Sequence, residues 1–225
     1  MPAWLPVLLW WSAFAGTHLL LSSLPVRQPL IARLGARGFQ VLYSVVALAT
    51  FIPLVRNYWA HKHAGPLLWA LGSVPGVHPL SLALSALGFA FIVGALVQPS
   101  PTSFVPGAAV RAYGLTRITR HSLFTGMALW GLAHCLVNGF LSDVIFFGGF
   151  AIYGTTGAVH QDKRKQVIDA DTLRIFYTET SLVPFAAIVS GRTRFVTAEM
   201  PWAGILLGLA VATAIYILHP WLFMG

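Results

Sequence analysis

The stretch of residues 117–134 reads RITRHSLFTGMALWGLAH, and it decides the class of protein to which this chain belongs. It opens an apolar segment that continues to Gly139 and, at about 20 residues, is long enough to cross a membrane. The segment nevertheless carries His121 and His134. An ionisable side chain in hydrocarbon is costly, so an intramembrane histidine marks a candidate functional site. Histidine is also the most common metal ligand.

The composition extends this conclusion to the whole chain. Its 225 residues are 57% hydrophobic and only 9% charged, with a mean hydropathy of +0.75. A soluble domain carries about 25% charged residues. The net charge of +8 does not indicate a nucleic-acid partner, because the basic residues fall in short loops between apolar segments. The sequence therefore predicts an all-α integral membrane protein whose main partner is the lipid bilayer.

Apolar windows of about 20 residues predict a six-helix transmembrane bundle in a single domain over residues 1–225. The spans fall at about 4–24, 39–56, 79–98, 120–139, 142–160 and 201–222. Residues 161–200 are too few for an independent domain, and we expect them to form a short cap on the bundle. Within the cap, residues 182–190 are apolar but too short to cross, which indicates an interfacial or re-entrant segment.

The distribution of lysine and arginine predicts the orientation. Twelve of these residues lie in the loops after the first, third and fifth spans, whereas Arg56 and Lys62 lie on the other side. Cytoplasmic loops are the ones enriched in basic residues. The cap is therefore predicted to be cytoplasmic. In a bacterial cell the chain would lie in the inner membrane with both termini in the periplasm.

Three of the eight histidines fall in the loop between the second and third spans, and His219 lies at the outer interface. The four that remain as candidates are His18, His121, His134 and His160. His121 and His134 are thirteen residues apart, which puts them about 20 Å apart along one helix and about 140° apart around it. They cannot share one small ligand. Met127 and Trp130 lie on the face of His134, where they could form the wall of a flat cofactor or pack as ordinary core.

One matched ligand set follows from the histidine positions. His18, His121 and His160 lie near the cytoplasmic side and would suit a small metal ion with three histidine ligands. His18 and His134 differ in depth by about 10 Å, and each is a possible ligand. A hydrogen bond between helices is the alternative role for either residue.

Several longer motifs resemble the NnrU family of bacterial membrane proteins. They are HLLLSSLPVR, GFQVLYSVVALATFIPL, GLTRITRHSLFTGMALWGLAHCLVNG, FFGGFAIYGTTGAVHQDKRK and TSLVPFAAIVSGR. The resemblance implies an association with denitrification, in the expression or activity of nitrite and nitric oxide reductases. The family is also similar to the plastid cis-ζ-carotene isomerase, a membrane haem b enzyme.

That similarity implies a haem b site, with His18 and His134 as ligands of the haem iron. Arg27 and Arg120 are then candidates to hold the haem propionates. An apolar small molecule or nitric oxide would be the substrate or ligand, and redox or isomerase chemistry would be the activity.

Two other functions remain open. The run RHSLFTG resembles a motif of isoprenylcysteine carboxyl methyltransferases, in which Arg120, His121 and Gly126 would help to bind S-adenosylmethionine. The paired glutamates of that family are missing, since the following loop reads HQDKRKQVIDADTLR. The chain also lacks a complete catalytic set, which favours a non-enzymatic accessory or assembly factor that acts on membrane protein partners.

Overall fold

A computed structural model describes residues 1–103 and 110–223, and helices are the only regular elements of that part of the chain. The long helices are α1 (Leu5–Ser22), α2 (Leu24–Ala60), α3 (Val77–Val97), α5 (Ser122–Val137), α6 (Leu141–Ile168) and α9 (Trp202–Phe223). Three shorter ones are α4 (Leu115–Ile118), α7 (Ala170–Glu179) and α8 (Ala186–Val189). The prediction of an all-α fold is confirmed.

Four of the described helices are long and apolar enough to cross a membrane, namely α1, α2, α3 and α9. These helices indicate a membrane protein. The apolar α5 has 16 residues, and α6 has 28 but gains charged residues towards its end. Each of the six predicted spans coincides with a long helix, while the number of helices that cross the membrane remains a prediction.

The long helices pack side by side in a row. α2 packs on α1, α1 on α6, α6 on α5, α5 on α3, and α3 on α9. α3 and α5 approach each other closely, since a Cβ atom added to Gly126 would lie 2.6 Å from the Gly88 carbonyl oxygen. Small residues let helix backbones approach closely in a membrane, where packing rather than the hydrophobic effect drives association.

The segment that the sequence predicts as the first loop is helical. α2 begins at Leu24, with Pro25 in its first turn, where the missing amide proton costs nothing. Gly35 then interrupts α2 with φ of +70°, a backbone conformation that favours glycine. The predicted span 39–56 therefore corresponds to the part of α2 after Gly35, and Arg27 and Arg33 lie on the helical part before it.

α6 continues to Ile168, eight residues past the predicted end of the fifth span. Residues 161–168 therefore belong to a long helix rather than to the cap. The extension carries Asp162 and Arg164 to the end of the bundle at which α1 ends and α5 begins. We call this the basic end, because most of the arginines lie there.

The rest of the cap is held against the loop before α5. The Phe185 amide donates to the Ile118 carbonyl at 2.8 Å, and the Thr119 hydroxyl donates to the Leu182 carbonyl at 2.9 Å. Of the predicted interfacial segment 182–190, only α8 is helical. Its depth in a membrane remains a prediction.

At the opposite end of the bundle, the fully buried carboxylate of Asp143 joins α2 and the following loop to α6. It accepts hydrogen bonds from the Tyr58 hydroxyl at 3.1 Å, the His63 amide at 3.1 Å and His63 Nδ1 at 2.8 Å. Three donors replace the water that the carboxylate loses on burial.

Candidate functional site

His18 lies in α1 within a group of aromatic side chains. Its ring centroid is 4.1 Å from that of Phe14, 4.9 Å from Tyr43 and 5.8 Å from Tyr153. Nδ1 is 2.9 Å from the Phe14 carbonyl oxygen, which can only accept, so Nδ1 carries the proton. Nε2 has no hydrogen bond within the described chain. It therefore presents a free lone pair in the neutral ring.

His134 in α5 has the same local arrangement. Its Nδ1 donates to the Trp130 carbonyl at 2.9 Å, and its ring lies 4.6 Å from the Trp130 ring and 4.5 Å from Phe147. Nε2 again lacks a hydrogen bond in the part of the chain that the structure describes. The contact with Trp130 agrees with the predicted shared face. Met127, one turn earlier, is half-buried.

The two histidines lie at different heights along α6. His134 contacts Phe147, whereas His18 contacts Tyr153. Six residues of α6 separate these two rings, which amounts to about 9 Å along the helix axis and about 120° around it. The structure thus retains the difference in depth expected from the sequence. α1 and α5 each pack on α6, one on either side.

A haem group can be tested against these residues. Each histidine taken alone could ligate an iron through Nε2, because a hydrogen bond from Nδ1 to a carbonyl is the usual way to orient a metal-binding imidazole. The aromatic surroundings suit a flat apolar macrocycle. The two histidines do not lie at the same height along α6. Their pairing on a single iron remains a prediction.

Arg120 and His121 are engaged by a single carboxylate. Asp162 accepts from His121 Nε2 at 2.7 Å and from Arg120 at 3.2 Å. A second nitrogen of the same guanidinium donates to the Thr180 carbonyl at 3.2 Å. Arg120 is therefore occupied, apart from its buried Nε, and is poorly placed to hold a propionate. The same contacts occupy the two residues that the methyltransferase resemblance would assign to a cofactor.

Tyr177 completes this cluster from α7. Its hydroxyl lies 3.2 Å from the Asp162 carboxylate, and the Arg120 guanidinium lies 4.7 Å above its ring. Burial raises the pKa of Tyr177 well above its usual range, and the neighbouring negative charge of Asp162 raises it further. Tyr177 therefore stays protonated and acts as a donor. The cluster joins the loop before α5, the end of α6 and the cap.

The histidine trio predicted for a small metal ion does not form a site. No three His, Cys, Asp or Glu side chains within residues 1–103 and 110–223 are grouped so that they could hold a metal ion. His121 is bound to Asp162, and His160 Nε2 is buried with no hydrogen-bond partner in the described chain.

Sequence reasoning missed Arg164. Its guanidinium donates to the Ser22 carbonyl at the end of α1, at 3.3 Å. Arg27 lies near it and stacks 4.6 Å above the Phe39 ring. Helical spacing offered one signal, since Tyr153, His160 and Arg164 repeat at seven and four residues and so share a face of α6.

Together these features define an all-helical membrane protein with a buried and a half-buried histidine in aromatic surroundings and a polar cluster at one end. The sequence matches the profile described as NnrU protein over residues 7–224, and the chain belongs to that family. No solved structure shows significant similarity to it.

Two curated plant proteins are similar to this chain, and both are named 15-cis-zeta-carotene isomerase, chloroplastic. The protein from Zea mays is 29% identical over 167 residues, and the one from Arabidopsis thaliana is 30% identical over 166 residues. Each alignment covers 71% of this chain and 44% of the plant protein. The chain thus matches less than half the length of these relatives.

Proposed function

We propose that this protein is a haem b-binding membrane protein with isomerase-like chemistry on an apolar small molecule. The observation that carries the proposal is the state of His18, whose Nδ1–H is held by a carbonyl while Nε2 is left without a hydrogen bond among aromatic rings. The names of the two plant relatives supply the reaction class. When bound, haem supplies an iron centre whose reactivity depends on its ligands and surroundings.

The protein residues would have separate roles in such a site. Phe14 orients the imidazole of His18 through its carbonyl oxygen and packs against the ring. Tyr43 and Tyr153 form the wall on the other helices and help to exclude water. His134 has the same geometry on α5, about 9 Å away along α6, and is the second ligand expected from the family resemblance.

Absorption spectroscopy of the purified protein tests the proposal. Protein expressed with added haem precursor and purified in mild detergent should show a Soret band in its oxidised and reduced forms. Absence of the band after reconstitution with haem would refute the proposal. The spin state of the ferric form distinguishes one histidine ligand from two, because two imidazoles favour the low-spin state.

The same haem site could instead serve denitrification, with nitric oxide as the ligand. A haem with an open coordination position would bind nitric oxide, which fits the association implied by the family resemblance. Addition of nitric oxide to the reduced protein should then shift the Soret band. A carotenoid or other polyene with a cis double bond should instead change its own absorption spectrum if the protein isomerises it.

The accessory-factor alternative makes a different prediction. If the protein acts through its surface on membrane protein partners, His18→Ala would keep the cellular function, whereas substitutions in the cap would abolish it. Loss of function in the His18 variant, with normal membrane insertion, would refute this alternative.

The proposed location is the bacterial inner membrane, with the basic end in the cytoplasm and both termini in the periplasm. The clustering of arginines at one end of the bundle supports this orientation. A reporter enzyme active only in the periplasm, fused to the C-terminus, should be active. A reporter inserted after Arg174 in the cap should be inactive.

A further inference from the structure

Arg27 and Arg164 are two cations at the basic end that form no ion pair with the residues that the structure describes. The chain has only six acidic residues. Arg117, Arg120 and Lys165 each pair with one of them. None of the ion pairs within residues 1–103 and 110–223 includes Arg27 or Arg164. Arg164 also interacts with the carboxylate of Asp169, which is paired with Lys165, so this corner of the bundle carries more positive than negative charge.

The two guanidiniums are held close together by three helices. Arg27 of α2 rests on the Phe39 ring, and Arg164 of α6 is tied to the Ser22 carbonyl of α1. They interact electrostatically with each other, and both interact with Tyr43 of α2. Both side chains are half-buried, so water screens their repulsion only in part. Holding two like charges in this arrangement is unfavourable unless an anion joins them.

The polar groups near the two arginines also favour a bound ligand in this corner. The Tyr43 ring packs 4.9 Å from His18, so the arginine pair lies just beyond the histidine site. On α6, His160 lies one turn before Arg164 on the same face, and its buried Nε2 has no partner in the described chain. A ligand in this corner would therefore lie near one polar atom that the described chain leaves without a partner.

We propose that Arg27 and Arg164, with Tyr43, bind an oxyanion at the head of an amphipathic molecule. Arginine donates two parallel hydrogen bonds to a phosphate or carboxylate, so two guanidiniums can surround such a group. The corner lies at the end of apolar helices, which would contact an apolar body attached to the oxyanion. An anionic phospholipid, with its phosphate, and haem b, with its propionates, both have this form.

Lipid binding tests the site without haem. Haem-free protein in detergent is mixed with phosphatidylglycerol or phosphatidylcholine, and bound lipid is counted by native mass spectrometry. Wild type should prefer phosphatidylglycerol, and Arg27→Gln or Arg164→Gln should each weaken that binding about tenfold, the loss of one charged hydrogen bond. Arg33→Gln is the matched control, because Arg33 is an exposed arginine on the same helix.

Haem titration tests the other source of the oxyanion, and this arm rests on the proposed function. If haem propionates occupy the corner, the same two substitutions should weaken haem binding about tenfold but leave the Soret position of the bound form unchanged. Arg164→Lys keeps the charge and should retain part of the affinity, and circular dichroism verifies that each variant is folded.

The possible outcomes separate the two proposals. An effect of the substitutions on either ligand supports the oxyanion site and identifies its source. The oxyanion site would be overturned if wild type and both glutamine variants bound each ligand equally. It would also be overturned if wild type retained the two lipids equally and the substitutions left haem affinity unchanged. If wild type binds no haem, the proposed function fails, while the lipid experiment still decides the oxyanion site.

Discussion

The imidazole of His121 and the carboxylate of Asp162 are joined by a 2.7 Å hydrogen bond between residues that are 41 positions apart in sequence. The same carboxylate pairs with Arg120 and receives the Tyr177 hydroxyl. Asp162 thus links three segments of the basic end.

Substitution of Asp162 by asparagine should therefore destabilise the protein strongly. It would leave the Arg120 guanidinium, whose side chain is only 12% exposed, without its counterion. Removal of one partner from a buried ion pair costs about 3–5 kcal/mol. The thermal midpoint in detergent should fall by on the order of 10 °C. Asp171→Asn, at an exposed position of α7, should change the midpoint little, and equal midpoints for the two variants would contradict this role.

Substitution of His18 by alanine should abolish haem binding if His18 supplies an axial ligand. The variant would keep the aromatic walls but lose the only unbonded nitrogen at that position. The measurement is the ratio of Soret to protein absorbance after reconstitution, and added imidazole should restore part of it. His78→Ala provides the control, since His78 is exposed at the start of α3. An unchanged ratio in the His18 variant would exclude it as a ligand.

The pH dependence of stability should reflect the pair formed by Arg117 and Glu199. The hydrogen bond from Arg117, at 2.6 Å, lowers the pKa of Glu199 below its ordinary value of 4.5. A depressed folded-state pKa means that the stabilisation is present above the unfolded pKa and is lost as the pH falls through the folded pKa. Wild type should thus unfold at a higher temperature than Glu199→Gln above about pH 5. The difference should shrink below pH 4, and a difference independent of pH would contradict the assignment.

Substitution of Gly126 by alanine should loosen the contact between α3 and α5. The new Cβ would lie 2.6 Å from the Gly88 carbonyl oxygen and 2.9 Å from the Ile92 amide nitrogen, both of which are backbone atoms that cannot rotate away. Overpacking of this kind costs about 1–3 kcal/mol. Gly16→Ala in α1 is the matched control, because its Cβ would meet nothing within 4 Å. Thermal unfolding should show a loss for the first variant and no loss for the second.

The helices were predictable because their apolar windows are long, and the six predicted spans all fall on long helices. The helical start of α2 was not predictable, because Pro25 and Pro29 favour a loop when tertiary contacts are unknown. The extension of α6 was missed for a related reason. Residues 162–165 are charged, and a hydropathy window ends before them although the helix continues.

The contacts of the candidate site were predictable only where both residues lie on the same helix. The environment of His134 follows from Trp130, one turn earlier on the same helix. The contact between Arg120 and Asp162 could not be inferred from spacing, because the two residues lie 42 positions apart. Arg164 was missed because its approach to Ser22 depends on how α6 packs against α1, which no single helix encodes.

The arginine corner also sets an order of events during synthesis. Arg27 is made early, whereas Arg164 follows 137 residues later. At about 5–20 residues per second, the ribosome needs on the order of 10 s to bridge that interval. During this time α1 and α2 have no α6 to pack against, and the corner lacks one of its two arginines. A ligand of the proposed oxyanion site would therefore have an open side until α6 is made.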